Sequence, residues 1–339
     1  MNRRAFIQAV LAGEAVARVP RALFGAGRWL YRQRGLTYDR LAGDPEGFAD
    51  SLADFLEDID TDIVFPGSGL NTFPAEAVGG ELVFREGQAP LLSAPVIEKT
   101  EDARYLADIA LGDSPQCLAL AAMTGRLRER LPDRFLCATS WGPFTWGMIL
   151  CDWNLLREKA ATDREFIREV CGLGVRLSAA FFSLLVGRGL VDGICIADGA
   201  ATLVPDDLYV DVILPAEREL VERFSGRGIA RFLHQCGTID RQVPLYPETG
   251  ADCITLDAGV DLGDAYRLYG GKTVTAGNVD VIKTVFGGDE REICRAVSAC
   301  LASIPRPISK FILMPSCDLP PDTPLRNAKA FLACADRIV

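Results

Sequence analysis

From residue 62 onward, short apolar segments alternate with longer segments of helical spacing, and this alternation limits the possible folds more than any other feature. The apolar segments are rich in β-branched residues and cover residues 62–67, 134–140, 191–198, 229–235, 252–258, 272–278 and 310–316, with a further predicted strand at 81–84. Helix-compatible spacing covers residues 163–187, 205–224, 287–304 and 323–337. Such alternation is typical of a parallel sheet built from βα units. Seven or eight parallel strands predict an α/β fold, a TIM (β/α)8-type barrel with the helices as its outer ring.

The barrel is predicted to account for most of a single domain. A chain of 339 residues accommodates a barrel of about 250 residues with additions. Residues 1–61 are mostly helical by pattern and form the predicted N-terminal helical extension, a cap on the barrel of residues 62–339. No internal repeat and no Pro/Gly/Ser-rich linker divides the chain. An open Rossmann-like sheet is the alternative fold, but no GxGxxG motif follows an early strand and the βα units exceed six.

The charge and hydropathy of the chain exclude two classes of partner. A net charge of −10 suits neither the phosphates of a nucleic acid nor an anionic lipid surface. Near the N-terminus, Glu14 and Arg18 interrupt the apolar stretch and no small-residue cleavage site follows, which predicts an amphipathic helix. The apolar run from Leu177 to Val186 is shorter than the roughly 20 residues that span a bilayer. We therefore expect a cytoplasmic protein with no nucleic-acid and no membrane partner.

The 11 cysteines are spread through a long chain that shows no export signal, so reduced thiols are expected. Most of them have apolar sequence neighbours and are predicted to be small buried hydrophobic residues, among them Cys195, Cys253, Cys294 and Cys300. Two others lie at predicted strand ends and need a separate interpretation.

Three potential metal ligands follow two of the predicted strands. His234 and Cys236 are two residues apart at the end of segment 229–235, so both side chains point to one face if the strand geometry continues. Cys317 follows the last strand, at the rim where TIM barrels build active sites. Two thiolates and one imidazole match the preference of zinc, and three protein ligands leave a fourth position open. A substrate thiol bound there loses its proton and becomes a nucleophile. His234 is the single histidine of the chain and is assigned here to the metal. No second histidine is therefore left to serve as the base in Ser-His-Asp or Cys-His catalysis.

Four other residues at predicted strand ends each have two open interpretations. Asp198, Asp257 and Asn278 either orient a zinc ligand or bind the substrate, or else they cap the following helix. Trp141 follows the strand at 134–140 and either forms the floor for a flat substrate or packs in the core.

Five segments together carry a resemblance to a known family. They are residues 3–20 with their terminal Arg-Val-Pro, Gly142-Pro143-Phe144-Thr145, His234-Gln235-Cys236-Gly237, Gly277-Asn278-Val279-Asp280, and the segment from Ser316 to Pro324. Over almost its whole length the chain resembles the uroporphyrinogen decarboxylase superfamily, especially its methylcobamide:coenzyme M methyltransferase-like branch. The resemblance implies a TIM barrel with His234, Cys236 and Cys317 as zinc ligands. It also implies a methylated corrinoid (methylcobamide) on a corrinoid carrier protein as the methyl donor. The implied acceptor is a zinc-activated thiol such as coenzyme M, with tetrahydrofolate as a variant.

The decarboxylase of this superfamily differs from the chain in two motifs. It carries Arg-Gln-Ala-Gly-Arg near its N-terminus and an aspartate in a Phe-Ser-Asp motif, whereas the first strand here runs Val64-Phe65-Pro66-Gly67-Ser68-Gly69. The N-terminal arginines are expected mostly on solvated helix faces rather than around a multiply anionic porphyrinogen; they are Arg3, Arg4, Arg18, Arg21, Arg28, Arg32 and Arg34. A metal-free uroporphyrinogen decarboxylase is therefore the second hypothesis. A non-catalytic corrinoid- or zinc-binding module is the third.

Overall fold

The structure is a computed structural model that describes residues 2–85, 88–105, 109, 111–237 and 240–336. The strands within these residues are β1 Ile63–Val64, β2 Leu82–Val83, β3 Leu91–Leu92, β4 Phe135–Trp141, β5 Gly193–Ala197, β6 Ala230–Gln235, β7 Cys253–Leu256, β8 Val274–Val279 and β9 Phe311–Pro315. Seven of them form one parallel sheet in the order β1-β4-β5-β6-β7-β8-β9. Strands that follow one another in this order therefore lie side by side, as expected for successive βα units.

A short N-terminal segment closes the sheet into a barrel. Ala22 bridges Ile63 of β1, and Arg21 bridges Leu313 of β9, both in the parallel sense. The backbone N–H of Ala22 donates to the carbonyl of Leu313 at 3.0 Å, and the N–H of Asp62 donates to the carbonyl of Arg21 at 2.9 Å. The predicted TIM-type barrel is confirmed, with residues 21–22 in the eighth strand position. The prediction that residues 1–61 form only a helical cap on the barrel is wrong for this pair, because two residues are too few to show a strand pattern.

The strand predicted at 81–84 exists as β2, but it is not part of the barrel. Leu82 of β2 lies opposite Leu92 of β3 in an antiparallel pair, and the N–H of Ser93 donates to the carbonyl of Glu81 at 2.9 Å. A short loop returns the chain antiparallel, whereas a parallel neighbour requires a longer crossover connection. The hairpin therefore pairs with itself.

The α-helices within the described residues are α1 Arg3–Ala12, α2 Gly27–Arg34, α3 Tyr38–Gly43, α4 Pro45–Glu57, α5 Thr100–Tyr105, α6 Pro115–Arg130, α7 Pro143–Leu150, α8 Trp153–Thr162, α9 Arg164–Val186, α10 Asp206–Leu208, α11 Leu214–Glu222, α12 Leu262–Tyr269, α13 Glu290–Ala302 and α14 Leu325–Cys334. A π-helical turn, Tyr209–Ile213, joins α10 to α11. These elements confirm the helices predicted at 163–187, 205–224, 287–304 and 323–337. The start of α13 is fixed by a capping box between Asp289 and Glu292.

Ion pairs attach the N-terminal segment to the barrel. The buried carboxylate of Asp62 accepts hydrogen bonds from both terminal nitrogens of Arg18, at 2.7 and 2.6 Å, and from the backbone N–H of Arg21 at 3.0 Å. The guanidinium of Arg21 is itself buried and pairs with Asp60 and Asp336. Bidentate arginine–carboxylate contacts of this kind fix geometry as well as charge. The expected solvated position is therefore wrong for Arg21.

Apolar side chains fill the lower part of the barrel. Phe232 of β6 packs there with the buried Cys195 and Cys253 of neighbouring strands. Burial raises the pKa of both thiols, which is the behaviour expected of small hydrophobic residues.

One pair of cysteines departs from the expected reduced state. Cys294 of α13 and Cys334 of α14 form a disulfide, with their Cα atoms 5.2 Å apart. The two helices pack against each other and bring these residues together across a sequence separation of 40. That proximity arises from tertiary packing and leaves no local sequence signal.

Helix α9 is the one helix of the described residues that is long and apolar enough, by length and composition, to cross a membrane. Its apolar side chains, including Phe166, Leu177 and Phe181, are buried inside the protein. It packs against α7, α11 and β4. These contacts are typical of a buried helix in the helical layer around the barrel.

Candidate metal centre

Strand β6 directs two of the predicted ligands toward the barrel axis. Successive side chains of a strand point to opposite sides, and Phe232 lies in the lumen while Leu233 packs in the helix layer. His234 continues the inward series, and Cys236 follows the strand directly. His234 is 2% exposed, and Cys236 is partly exposed. The structure thus brings the His-x-Cys pair to one side of the strand.

Cys317 comes from the opposite part of the sheet and meets this pair. It follows β9 by two residues, and its Sγ lies 3.4 Å from Sγ of Cys236 and 3.6 Å from Nε2 of His234. The third side of the triangle, from Nε2 of His234 to Sγ of Cys236, measures 2.6 Å. Among the described residues this is the one group of three His, Cys, Asp or Glu donors within 4.8 Å of one another.

The ring of His234 is held on two sides. Its Nδ1 lies 2.6 Å from Oγ1 of Thr255, which belongs to the neighbouring strand β7. The ring of Phe24 stacks on the imidazole at a centroid distance of 4.2 Å and an interplanar angle of 27°. Because Nδ1 is engaged, Nε2 is the nitrogen that faces the two sulfurs.

The two thiols shift each other's pKa in opposite directions. Their mutual hydrogen bond lowers the pKa of Cys317 and raises the pKa of Cys236. The hydrogen bond from His234 lowers the pKa of Cys317 further, whereas burial acts in the opposite direction. At neutral pH the pair therefore presents a thiolate beside a histidine, a set of donors suited to a soft or borderline divalent cation.

Two sides of this triangle have nearly the lengths expected for zinc ligands, and the third must lengthen. Two thiolates about 2.3 Å from a tetrahedral zinc lie about 3.8 Å apart, close to the observed 3.4 Å between the sulfurs. The distance from His234 to Cys317, 3.6 Å, also matches the roughly 3.6 Å between nitrogen and sulfur ligands of one zinc. The shorter separation of His234 and Cys236 requires widening by about 1 Å. Both cysteine residues are partly exposed.

Asp257 supports the residue that follows Cys236, and Asn278 in turn supports the backbone at Asp257. The carboxylate of Asp257 accepts hydrogen bonds from the backbone N–H of Gly237 at 3.1 Å and of Gly259 at 3.0 Å. The side-chain amide of Asn278 donates to the carbonyls of Asp257 and Val260, at 2.9 and 2.8 Å. The side chains of both residues therefore engage backbone groups.

Asp198 and Trp141 are placed differently. The fully buried carboxylate of Asp198 accepts the backbone N–H groups of Phe144 and Thr145 at 3.2 and 2.7 Å, at the start of α7. This helix precedes Asp198 in the chain, so the carboxylate does not cap the helix that follows it. The indole N–H of Trp141 donates to Oγ1 of Thr72 at 3.2 Å, and its ring packs against the core.

Asp318 is a site neighbour that sequence reasoning did not single out. Its carboxylate accepts the backbone N–H of Ala26 at 2.5 Å and lies 3.7 Å from the guanidinium of Arg28. Burial raises the pKa of Asp318 to about 6. A side chain at Gly25, which has φ +62°, would collide with this carboxylate. Asp318 lies in the segment from Ser316 to Pro324 that carries the family resemblance, but its hydrogen bond to the N-terminal segment is visible only in three dimensions.

A cavity of about 540 Å³ opens beside Arg28. Its lining includes the guanidinium-bearing Arg28, Arg32 and Arg85 together with the rings of Tyr38 and Phe84. Arg28 and Arg32 lie on the face of α2 that borders this cavity, and both side chains are accessible to solvent there, as expected for a solvated helix face. Three arginines at one concavity favour an anionic ligand in a chain of net charge −10.

Comparisons with known proteins agree with this architecture. The family model described as uroporphyrinogen decarboxylase (URO-D) matches residues 2–338. The methylcobamide:CoM methyltransferase MtbA of Methanosarcina acetivorans is 22% identical over 253 residues, which cover 73% of this chain and 71% of that protein. A uroporphyrinogen decarboxylase of Streptomyces coelicolor is 27% identical over 224 residues, 64% of this chain and 61% of that protein. The solved structure of a methyltransferase from Methanosarcina mazei shares the fold with a TM-score of 0.87 at 21% identity, covering 99% of each chain.

Proposed function

The chain belongs to the uroporphyrinogen decarboxylase family, and we propose that it is a zinc-dependent methyltransferase. In this proposal His234, Cys236 and Cys317 bind one zinc ion and form the catalytic centre. The observation that carries the proposal is the triangle of one imidazole nitrogen and two sulfurs, drawn from two separate strand ends. Relatives named as methylcobamide:CoM methyltransferases support this choice.

The residues of the chain have distinct roles in this reaction. Zinc held by the triangle would keep an acceptor thiol in its thiolate form at neutral pH. Thr255 and Phe24 fix the ring of His234, so that Nε2 stays directed at the sulfurs. Asp257 orders the turn after Cys236 through the N–H of Gly237. Cys236 and Cys317 are partly exposed at the rim, and in this proposal the acceptor and the donor approach from that side.

The proposed reaction moves a methyl group from a methylated corrinoid to the acceptor thiol. The carbon–cobalt bond breaks, a carbon–sulfur bond forms, and the electron pair of the broken bond remains on cobalt. A corrinoid carrier protein would present the donor, and a small thiol such as coenzyme M would be the acceptor, with tetrahydrofolate as a variant. All four of these residues hydrogen-bond to protein groups. Asp198 is fully buried, and Trp141 packs against the core, whereas Asp257 and Asn278 are partly exposed and are the better candidates for contact with substrate. A cytoplasmic location belongs to the same proposal.

Decarboxylation of an anionic tetrapyrrole is the second candidate, and one observation favours it. The cavity beside α2 gathers Arg28, Arg32 and Arg85, and Ala26-Gly27-Arg28 keeps the last three residues of the decarboxylase segment Arg-Gln-Ala-Gly-Arg. Carboxylates of a porphyrinogen would pair with such arginines. This candidate gives no role to the two thiols beside His234, and for that reason we rank it second. A non-catalytic corrinoid- or zinc-binding module remains the third.

One assay separates the three candidates. Zinc-loaded protein, methylcobalamin and coenzyme M or homocysteine are mixed, and loss of the methyl group is followed in the visible spectrum of the corrinoid. We expect rapid demethylation with wild type and with Cys300→Ala, which removes a thiol outside the centre, and at least about a hundredfold slower reaction with Cys317→Ala. Release of carbon dioxide from uroporphyrinogen, with no reaction of free or protein-bound methylcorrinoid, would establish the second candidate. Tight binding of corrinoid without either reaction would establish the third.

A further inference from the structure

Gln235, the last residue of β6, lies between His234 and Cys236 in the chain and points to the other side of the strand. Its side-chain amide nitrogen donates to Oε1 of Glu217 at 2.6 Å. Glu217 belongs to α11 in the outer helix layer and is 0% exposed. Gln235 therefore hydrogen-bonds the end of β6 to the helix layer, at the position between His234 and Cys236.

Glu217 also connects two neighbouring strand ends. Its Oε2 accepts the hydroxyl of Tyr209 at 2.9 Å, and its carboxyl is hydrogen-bonded to that of Asp198, which follows β5. The backbone N–H of Asp198 donates to the carbonyl of His234 at 3.0 Å. Through one carboxyl, α11 is thus joined to the ends of both β5 and β6.

Burial of these polar groups lowers the free energy of unfolding compared with an apolar core. Among the described residues, the side-chain contacts of the Glu217 carboxyl are a phenol, an amide and a second carboxyl. Burial and the neighbouring Asp198 raise the pKa of Glu217 well above its usual value, and burying such polar groups opposes folding more than apolar side chains of similar size would. Buried hydrogen bonds are, however, strong in the low-dielectric interior and effective at fixing one geometry.

We propose that Glu217 is a positioning residue of the metal centre, which acts by holding Gln235 and thereby the directions of His234 and Cys236. The inference rests on the proposed metal site. If the hydrogen bond is removed, the strand end gains rotational freedom about its axis, and both ligands move together relative to Cys317. Metal–ligand bonds tolerate only a few tenths of an ångström, so such freedom weakens binding.

Three variants test this role in the full-length chain. Glu217→Leu removes the carboxyl and keeps an apolar side chain of similar volume. Glu217→Gln keeps an oxygen acceptor for Gln235, and Tyr209→Phe removes the other hydrogen bond to the same carboxyl without touching the strand end. Zinc affinity is measured by competition with a chromophoric chelator, and Co²⁺ substituted for zinc reports the ligand geometry through its d–d and sulfur-to-cobalt absorption bands.

We expect zinc affinity about 10- to 100-fold lower for Glu217→Leu, with altered cobalt bands, and affinities within about threefold of wild type for Glu217→Gln and Tyr209→Phe. Gln235→Leu removes the same hydrogen bond from the strand side, should give the same loss, and serves as the test if Glu217→Leu does not fold. Wild-type affinity and cobalt bands in a folded Glu217→Leu or Gln235→Leu protein would overturn this inference and would leave the proposed metal site unaffected. Failure of the wild-type protein to bind zinc would overturn the proposed metal site and this inference with it.

Discussion

Oγ1 of Thr255 lies 2.6 Å from Nδ1 of His234 because the two residues are register partners in the adjacent strands β7 and β6. The hydroxyl is buried and belongs to a rigid strand, so the imidazole cannot turn without losing this hydrogen bond. A hydrogen-bond partner on one ring nitrogen orients a ligating histidine and leaves the other nitrogen free for the metal. The orientation of His234 is therefore built into the barrel.

Replacement of Thr255 by valine should weaken metal binding. Valine keeps the volume and the β-branched shape but cannot bond to Nδ1, so we expect zinc affinity about 10- to 100-fold lower. Chelator competition measures the change. The matched control is Thr275→Val on β8, because Thr275 is equally buried and its hydroxyl has no partner among the described residues. Equal affinities of the two variants would contradict a role for Thr255.

The pH dependence of stability should reveal the proton held by Glu217. Burial and the neighbouring Asp198 raise the pKa of Glu217 well above its usual value. The unfolded chain releases this proton near pH 4.3, whereas the folded chain keeps it to a higher pH. Between these two pKa values the folded state binds the additional proton, so the wild-type free energy of unfolding contains a contribution that is lost as pH rises.

Glutamine cannot titrate, so Glu217→Gln lacks this contribution. The free energy of unfolding of the variant minus that of wild type should therefore rise between pH 5 and pH 7, by up to about 1.4 kcal/mol per pH unit. Urea denaturation at saturating zinc measures it. Glu222→Gln, which removes an exposed carboxyl from the same helix, is the control for loss of a charge. A difference for Glu217→Gln that stays constant with pH would show that the carboxyl is already ionised in the folded protein.

Gly142 should tolerate no side chain, for a steric reason. Its φ of −75° suits any residue, but a Cβ there would collide with the side chain of Asp198. We expect Gly142→Ala to lower the free energy of unfolding by about 1–3 kcal/mol, as overpacking of a core does. At Gly43 a Cβ would meet open space, so Gly43→Ala should change stability by less than about 1 kcal/mol. Similar unfolding curves for both variants would show that the contact between Gly142 and Asp198 relaxes easily.

The sequence was sufficient to predict the barrel and to select His234, Cys236 and Cys317 as neighbours. Their residue types are rare, and the strand ends of a barrel converge on one rim, so local pattern and topology together locate them. Thr255 could not be identified, because a threonine in a strand is ordinary and its role depends on register with another strand. Glu217 is a glutamate in a predicted helix, and its burial could not be predicted because charged residues are rarely buried. The bridging pair Arg21 and Ala22 was too short for any pattern.

The metal content of the protein tests the central proposal most directly. Wild type and Cys300→Ala, equilibrated with zinc and then freed of excess by gel filtration, should retain about one zinc per chain, with X-ray absorption showing two sulfurs at about 2.3 Å and a nitrogen at about 2.0 Å. His234→Ala, Cys236→Ala and Cys317→Ala should each retain markedly less under the same conditions. Zinc content unchanged in all three alanine variants, or no zinc in the folded wild-type protein, would contradict the proposed centre.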